Sequence, residues 1–193
     1  MRSRGLKALV FVGILVQGGC TAFDSPNPAS PYYAYPPGWV MRLNQTLQIP
    51  PGSATVRLQF GRIVPSNGVQ DAYPFCIVEV NTVSAQAQML QPGRFEVTQV
   101  TRSVSDITAA ASPWVNPDYM KVSSGGDGGS PSFLYFITTF RLRDADQPDI
   151  RSMRCAWNQM APGNQSLMRH LTLDEIRQAL GDWITLIPPR ETL

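Results

Sequence analysis

The sequence predicts a mainly β fold, namely an antiparallel sandwich or partly open barrel of about seven strands with one short C-terminal helix. Three observations lead to this prediction. Apolar and polar residues alternate in several short segments, and turn residues separate those segments. A single stretch near the C-terminus has the spacing of an amphipathic helix. Residues 39–193 are numerous enough to form one domain with its own core.

The clearest strand pattern is the alternation of Val56, Leu58 and Phe60 with polar side chains. Residues 41–49 place a second apolar set on one face, and the turn sequence PPGS follows at 50–53. We therefore expect these two segments to form a hairpin-like pair. Further strands are predicted at 75–80, 95–101, 133–143, 151–157 and 183–187, with turns at 66–68, 91–93 and 145–148.

The helix is predicted from its ends as well as from its apolar stripe. Thr172 and Glu175 have the spacing of a capping box, so Thr172 is the expected N-cap. Leu171 and Ile176 fit a hydrophobic staple, and Gly181 can adopt the left-handed conformation that ends a helix. The stripe that we expect to pack on the sheet consists of Leu173, Ile176 and Leu180.

The N-terminus has the composition of an export signal. Arg2, Arg4 and Lys7 precede an uncharged apolar run at residues 8–16. A membrane-spanning helix needs about 20 apolar residues, and this run is shorter. We therefore expect the chain to be exported and the signal to be removed, rather than retained as a membrane helix.

Two small residues, Gly18 and Gly19, directly precede Cys20. Small residues let a signal peptidase draw the chain into its cleft, and this ending resembles a bacterial lipoprotein signal. The resemblance covers about the first twenty residues and implies cleavage before Cys20 and lipidation of its thiol. Gln17 stands where that family has an aliphatic residue. The alternative is ordinary cleavage nearby, for example after Ala22, which gives a soluble periplasmic or secreted protein.

In that family an Asp after the cysteine holds the protein in the inner membrane, whereas Thr21 follows here. The resemblance therefore implies an outer-membrane lipoprotein that faces the periplasm. The chain divides into a signal at 1–19, a lipidated cysteine with a Pro-rich linker at 20–38, and one β-rich domain at 39–193. We expect the linker to be a plain spacer, with contact to the domain or to a partner as the alternative for its tyrosines, Tyr32, Tyr33 and Tyr35.

Charge supports this division of the chain. The signal holds 3 of the 16 basic residues and none of the 14 acidic ones, which leaves 13 basic and 14 acidic residues and a net charge of −1. Nucleic acid is therefore not an expected partner. Of the 13 basic residues only Lys121 is lysine. Arginine binds carboxylates and phosphates in a fork, so contacts with the cell wall or with lipid headgroups are conceivable.

The odd cysteine count of three becomes even once Cys20 is assigned to lipid or lost with the signal. Cys76 and Cys155 then remain as a pair in apolar, strand-like surroundings. An oxidising compartment allows them to form a disulfide, with two buried free thiols as the alternative. Neither cysteine has the close spacing to another ligand that a metal site needs, so no metal is expected.

Candidate catalytic residues are few. His170 is the only histidine, and a partly exposed loop position is its expected environment. Asp144, Asp146 and Asp149 have a spacing that can ligate calcium, but a polar hairpin turn is the favoured interpretation. No motif indicates a nucleophile or a cofactor. We therefore expect no enzyme, and a periplasmic hydrolase with a dispersed active site is the alternative.

A long connection before the strand at 133–143 is the predicted binding loop. It contains a glycine-rich run at 123–130 and two aromatic contact candidates, Trp114 and Tyr119, for which a role as packing anchors is the alternative. The expected function is a structural or binding component of the envelope, which contacts the membrane through its lipid and other envelope proteins or the cell wall. An accessory subunit of a larger envelope assembly is the alternative within that class.

Overall fold

The computed structural model describes residues 25–106, 134–158 and 169–189. In this part of the chain the elements are β1 (Val40–Leu43), β2 (Leu47–Ile49), β3 (Thr55–Gln59), β4 (Arg62–Val64), β5 (Phe75–Val80), β6 (Gln88–Leu90), β7 (Gly93–Asp106), β8 (Leu134–Arg143), β9 (Ile150–Asn158), α1 (Leu173–Leu180) and β10 (Ile184–Ile187). Eight of these strands form one curled antiparallel sheet, a half-barrel, in the order β10-β1-β7-β8-β9-β5-β3-β4. The predicted mainly β fold with a short C-terminal helix is confirmed. Of the two predicted architectures, a sandwich and a partly open barrel, the structure has the second.

The strand alternation produces two sheet faces with different surroundings. The inner face packs on α1 and contains the main core, which includes Leu58, Val78 and Met153. The outer face contains a small second cluster around Ile77, together with charged side chains such as Arg154. All six residues of β5 are buried, because this strand is central to the sheet and is covered on both faces.

The predicted pairing of residues 41–49 with 55–60 is wrong. The chain turns away at Asn44, whose backbone N–H donates to Trp183 O at 2.9 Å and whose Nδ2 donates to Thr185 Oγ1 at 2.9 Å. As a result β1 pairs with β7 and β10, whereas β2 pairs with β6 in a separate two-stranded sheet. Strands β4 and β6 were not predicted, because three residues are too few for an alternation to be recognised.

The predicted helix is confirmed at its N-terminus in atomic detail. Thr172 Oγ1 accepts a hydrogen bond from the Glu175 N–H at 3.3 Å, and Glu175 Oε2 accepts one from the Thr172 N–H at 2.8 Å. Leu171 and Ile176, the expected staple, are both fully buried. Gly181 ends the helix with φ 55° and ψ −139°, so its φ is positive as predicted but its ψ lies outside the left-handed helical region.

The prediction of a plain spacer before residue 39 is wrong for its last part. The Tyr35 ring packs edge-on against Trp39 at 5.6 Å and against Phe140 at 5.2 Å. Tyr33 also packs against the core, and burial raises the pKa of Tyr35 to about 12. Burial of these large rings is favourable enough to fix a proline-rich segment on the sheet, so the domain begins before residue 39.

Candidate interaction surface

Some of the predicted site residues lie outside the described part of the chain. These are Cys20, the proposed lipidation site, and the two aromatic residues of the predicted binding loop, Trp114 and Tyr119. The glycine-rich run at 123–130 also lies outside it. Lipidation and loop binding therefore remain predictions.

Cys76 and Cys155 form the predicted disulfide. They lie directly opposite each other on β5 and β9, and neither cysteine is accessible to solvent. The bond joins positions 79 residues apart in the sequence and ties together two neighbouring strands of the sheet. Because it is fully buried, we assign it a stabilising rather than a reactive role.

His170 lies in the loop before α1, as predicted, but it is buried, so the predicted partial exposure is wrong. The staple at Leu171 and a hydrogen bond from Trp157 Nε1 to Arg169 O, at 2.7 Å, hold this segment against the core. The His170 ring packs edge-on against Phe136 at 5.4 Å. Burial, together with a smaller effect of the Arg102 charge, lowers the pKa of His170 to about 4. The side chain is therefore neutral and part of the core at neutral pH.

This burial predicts a pH-dependent stability. Because the pKa of His170 falls from its ordinary value of 6.5 to about 4 on folding, the unfolded chain binds the proton more readily. The contribution of neutral His170 to the free energy of unfolding is therefore fully present above pH 6.5. It decreases by about 2 to 3 kcal/mol as the pH falls towards 4. Urea unfolding at several pH values measures the slope. The His170→Asn variant is expected to lose most of this slope, and an unchanged slope in that variant would contradict the assignment.

The aspartates at the β8–β9 turn have a structural role. Asp144 Oδ1 accepts hydrogen bonds from the backbone N–H groups of Asp146, at 2.7 Å, and of Gln147, at 3.3 Å. Asp149 Oδ2 accepts one from Thr82 Oγ1 at 2.6 Å. The predicted polar hairpin turn is confirmed. Across the described ranges, no group of three or more acidic, histidine or cysteine side chains is arranged to hold a metal ion.

The β3–β4 connection has an unusual backbone. Gln59 pairs with Arg62, so Phe60 and Gly61 form a two-residue hairpin turn. Both have positive φ, 52° at Phe60 and 69° at Gly61, which is the signature of a type I′ turn. Asn or Asp followed by Gly is preferred there, and a bulky aromatic residue at the first position costs on the order of 1 to 3 kcal/mol. The prediction that Phe60 belongs to the apolar face of the strand is wrong.

The end of the helix holds this turn in place. The Gly61 N–H donates to Ala179 O at 3.1 Å, and the backbones of Gly61 and Gly181 are in direct contact. A Cβ atom on Gly181 would lie 2.5 Å from Gly61 Cα, far inside van der Waals contact. Only two glycines permit this approach, and the approach fixes the direction in which Phe60 leaves the hairpin.

A buried glutamine fixes the neighbouring loop. The Gln59 side chain is 1% exposed, donates from Nε2 to Gln70 O at 2.9 Å, and accepts from the Gln70 N–H at 3.0 Å. Nε2 also lies 3.3 Å from Tyr73 O. These contacts replace the hydrogen bonds that a buried amide loses with water, and they hold the loop that carries Tyr73.

Phe60 and Tyr73 form the surface that we call the hairpin surface. Their exposed fractions are 49% and 51%, and the two rings are in edge-on contact at 5.5 Å. Scattered exposed apolar residues are common, but two aromatic rings held in contact by a strained turn are not. The hairpin surface is therefore the strongest candidate for a binding role among the residues that the structure describes.

An open strand edge adjoins the hairpin surface. Among the residues that the structure describes, β4 is the last strand of the sheet and pairs with β3 alone. Residues beside a two-residue turn exchange hydrogen bonds, and the next pair does not, so the N–H and C=O of Ile63 point away from β3. Arg62 is exposed, and residues 55–68 contain no acidic side chain. The edge thus offers backbone hydrogen bonds and positive charge to a further strand.

No family model, no curated protein and no solved structure matches this chain. Within the described ranges, no helix is long and apolar enough to cross a membrane. One sequence signal for the hairpin surface existed, since Gly61 interrupts the apolar alternation directly after Phe60 and is followed by the short strand-like run Arg62-Ile63-Val64.

Proposed function

We propose that this protein is an exported envelope lipoprotein, cleaved before Cys20, acylated there, and facing the periplasm from the outer membrane. Support comes from the basic and apolar signal at 1–19, from Gly18 and Gly19, and from Thr21 after the cysteine. A buried disulfide is also typical of proteins that fold in an oxidising compartment. Its role in the envelope is that of a binding component, as a subunit that holds a partner protein.

The proposed partner is an extended segment of another envelope protein that adds as a strand to β4. Three features favour this occupant. The Ile63 backbone groups are directed away from β3, the exposed rings of Phe60 and Tyr73 lie beside that edge, and Arg62 favours an acidic residue in the segment. Strand addition combines main-chain hydrogen bonds with pockets or surfaces for alternate side chains.

The main support for this proposal is the backbone conformation of Phe60. A bulky residue with φ 52° weakens the fold, and its ring gains little from burial because it is half exposed. Backbone strain of this kind is concentrated at functional sites, where the gain lies in binding rather than in stability. An exposed ring held rigidly also loses little side-chain entropy when a partner covers it.

The Phe60→Asn variant tests this proposal, because stability and binding are expected to change in opposite directions. Asn tolerates positive φ and precedes Gly in the preferred turn, so the free energy of unfolding should rise by about 1 kcal/mol. Recovery of the co-purified envelope partner should fall at least tenfold. Urea unfolding and quantitative affinity purification from solubilised membranes measure the two effects.

Val83→Asn is the matched control, since Val83 is 66% exposed and follows the end of β5 that is opposite to the hairpin turn. It should leave the recovery of the partner unchanged. A Phe60→Asn variant that is more stable and still recovers the partner at the level of the unmodified protein would contradict the proposed site. An equal loss of partner recovery in Phe60→Asn and Val83→Asn would also contradict the proposed site.

The proposed lipid anchor has its own test. The intact mass of the membrane-extracted protein should exceed the mass of residues 20–193 by the mass of the attached acyl groups, and Cys20→Ser should abolish the excess. A non-acylated protein that begins near Phe23 would contradict lipidation and indicate a soluble periplasmic or secreted protein. The binding test above does not depend on this result.

A further inference from the structure

The proline-rich segment before β1 forms a closed loop rather than an extended linker. The Ser25 N–H donates to Tyr32 O at 2.9 Å, and the Ala34 N–H donates to Ser25 O at 2.8 Å. The two ends of residues 25–34 therefore meet, and we call these residues the proline loop. Two turns inside the loop are closed by further backbone hydrogen bonds. The loop thus has a shape of its own, which its backbone fixes.

The proline loop is attached to the sheet at its C-terminal end. Arg102 Nη2, on β7, donates a hydrogen bond to Tyr33 O. The Arg102 guanidinium also lies 5.5 Å from the centre of the Tyr35 ring. The Tyr33 ring packs edge-on against Tyr35 at 4.9 Å and against Trp39 at 6.3 Å. The loop is therefore part of the folded domain, and these contacts set its position relative to the sheet.

This attachment shortens the tether of the proposed lipid anchor. Ser25 follows Cys20 by five residues, over which an extended chain spans at most about 18 Å. An extended spacer over all of residues 20–38 would instead span about 60 Å. If Cys20 is acylated as proposed above, the domain cannot move far from the bilayer, and the proline loop is the described part of it that lies nearest to the anchor along the chain.

The surface of the proline loop suits the interface between lipid and water. No charged residue occurs in residues 25–41. The loop exposes Pro26, Pro28 and Ala29, and the Tyr32 side chain is 50% exposed. Tyrosine is enriched where proteins meet lipid headgroups, because its ring is apolar and its hydroxyl stays hydrated. This surface can therefore enter the headgroup region without removing a charge from water.

The turn between β8 and β9 has the opposite character. Residues 144–149 contain three aspartates and no basic residue. Ala145, in this turn, lies seven residues after Thr138, which is the residue opposite Arg102 in the sheet. Seven residues of strand span about 23 Å. The acidic turn is thus well separated along β8 from the level at which the proline loop is attached.

We propose that the proline loop binds the headgroup region of the membrane that holds the lipid anchor, and so fixes the orientation of the domain on the bilayer. This inference rests on the proposed acylation of Cys20 and adds a second membrane contact to the acyl groups. The short tether, the absence of charge and the exposed Tyr32 support it. Asp24 is the one charged residue between Cys20 and Arg42, so the contact requires no anionic lipid.

Spin labelling of the acylated protein in phosphatidylcholine vesicles tests this contact. With Cys20 acylated and Cys76 bonded to Cys155, the variants Ala29→Cys and Ala145→Cys each carry a single free thiol. Both alanines are exposed, which makes the second variant a matched control. A nitroxide at position 29 should be at least threefold less accessible to a water-soluble nickel chelate than one at position 145. The ratio should not change with ionic strength.

Tyr32→Ser should raise the accessibility at position 29 at least twofold, whereas Tyr32→Trp should preserve the protection, because tryptophan also favours the interface. The intact mass of the same samples reports acylation. In the acylated protein, equal accessibility at positions 29 and 145 would overturn the loop contact and leave the lipid anchor intact. An unchanged accessibility in Tyr32→Ser would overturn it as well. A protein without the acyl mass would overturn both the anchor and the loop contact.

Discussion

Replacing Gly181 with alanine is expected to lower the free energy of unfolding by about 3 to 5 kcal/mol. The new Cβ atom would lie 2.5 Å from Gly61 Cα and 3.4 Å from Gly61 O. Both neighbours are backbone atoms, so relief requires the turn and the helix end to separate. The backbone conformation, φ 55° and ψ −139°, is itself strained for any residue with a side chain. Urea unfolding followed by tryptophan fluorescence measures the loss.

Gly52→Ala separates the two causes of this loss. Gly52 also has positive φ, 71°, but a Cβ atom there would meet nothing within 4 Å. The alanine variant at this position should therefore show only the conformational cost, about 1 kcal/mol. Equal losses at Gly52 and Gly181 would contradict the close contact between the hairpin turn and the helix end.

Removal of the disulfide has the second large expected effect. A crosslink between residues 79 positions apart restricts the unfolded chain, which in the chain-entropy model stabilises the fold by about 4 kcal/mol. The Cys76→Ala/Cys155→Ala double variant should lose this amount in urea unfolding. Reductant in the denaturation buffer should shift the unfolding of the unmodified protein towards that of the double variant. Superimposable curves with and without reductant would contradict a stabilising role.

Local rules in the sequence predicted much of the fold correctly. The capping box at Thr172 and Glu175 and the staple at Leu171 involve residues within one helical turn, so they are legible without tertiary information. Cysteine parity and apolar surroundings pointed to the bond between Cys76 and Cys155. The turn between β8 and β9 was also predictable, because short polar side chains compete for backbone N–H groups.

Long-range contacts account for what the sequence did not reveal. Asn44 ends β1 because it binds Trp183 and Thr185 at the start of β10, well over a hundred residues later. Phe60 turns outward because Gly61 meets Gly181 across a similar distance in the chain. His170 is buried because Phe136, on β8, packs against it. None of these partners can be assigned from local spacing, and the contact between Gly61 and Gly181 determines the direction of Phe60 on the hairpin surface.

Photo-crosslinking in intact cells tests whether the hairpin surface contacts a partner protein. A benzophenone side chain replaces Phe60 in one sample and Val83, another exposed apolar residue, in the other. We expect one discrete crosslinked product with an envelope protein from position 60 and none from position 83. No product from position 60, or the same products from both positions, would contradict a partner-binding role for the hairpin surface.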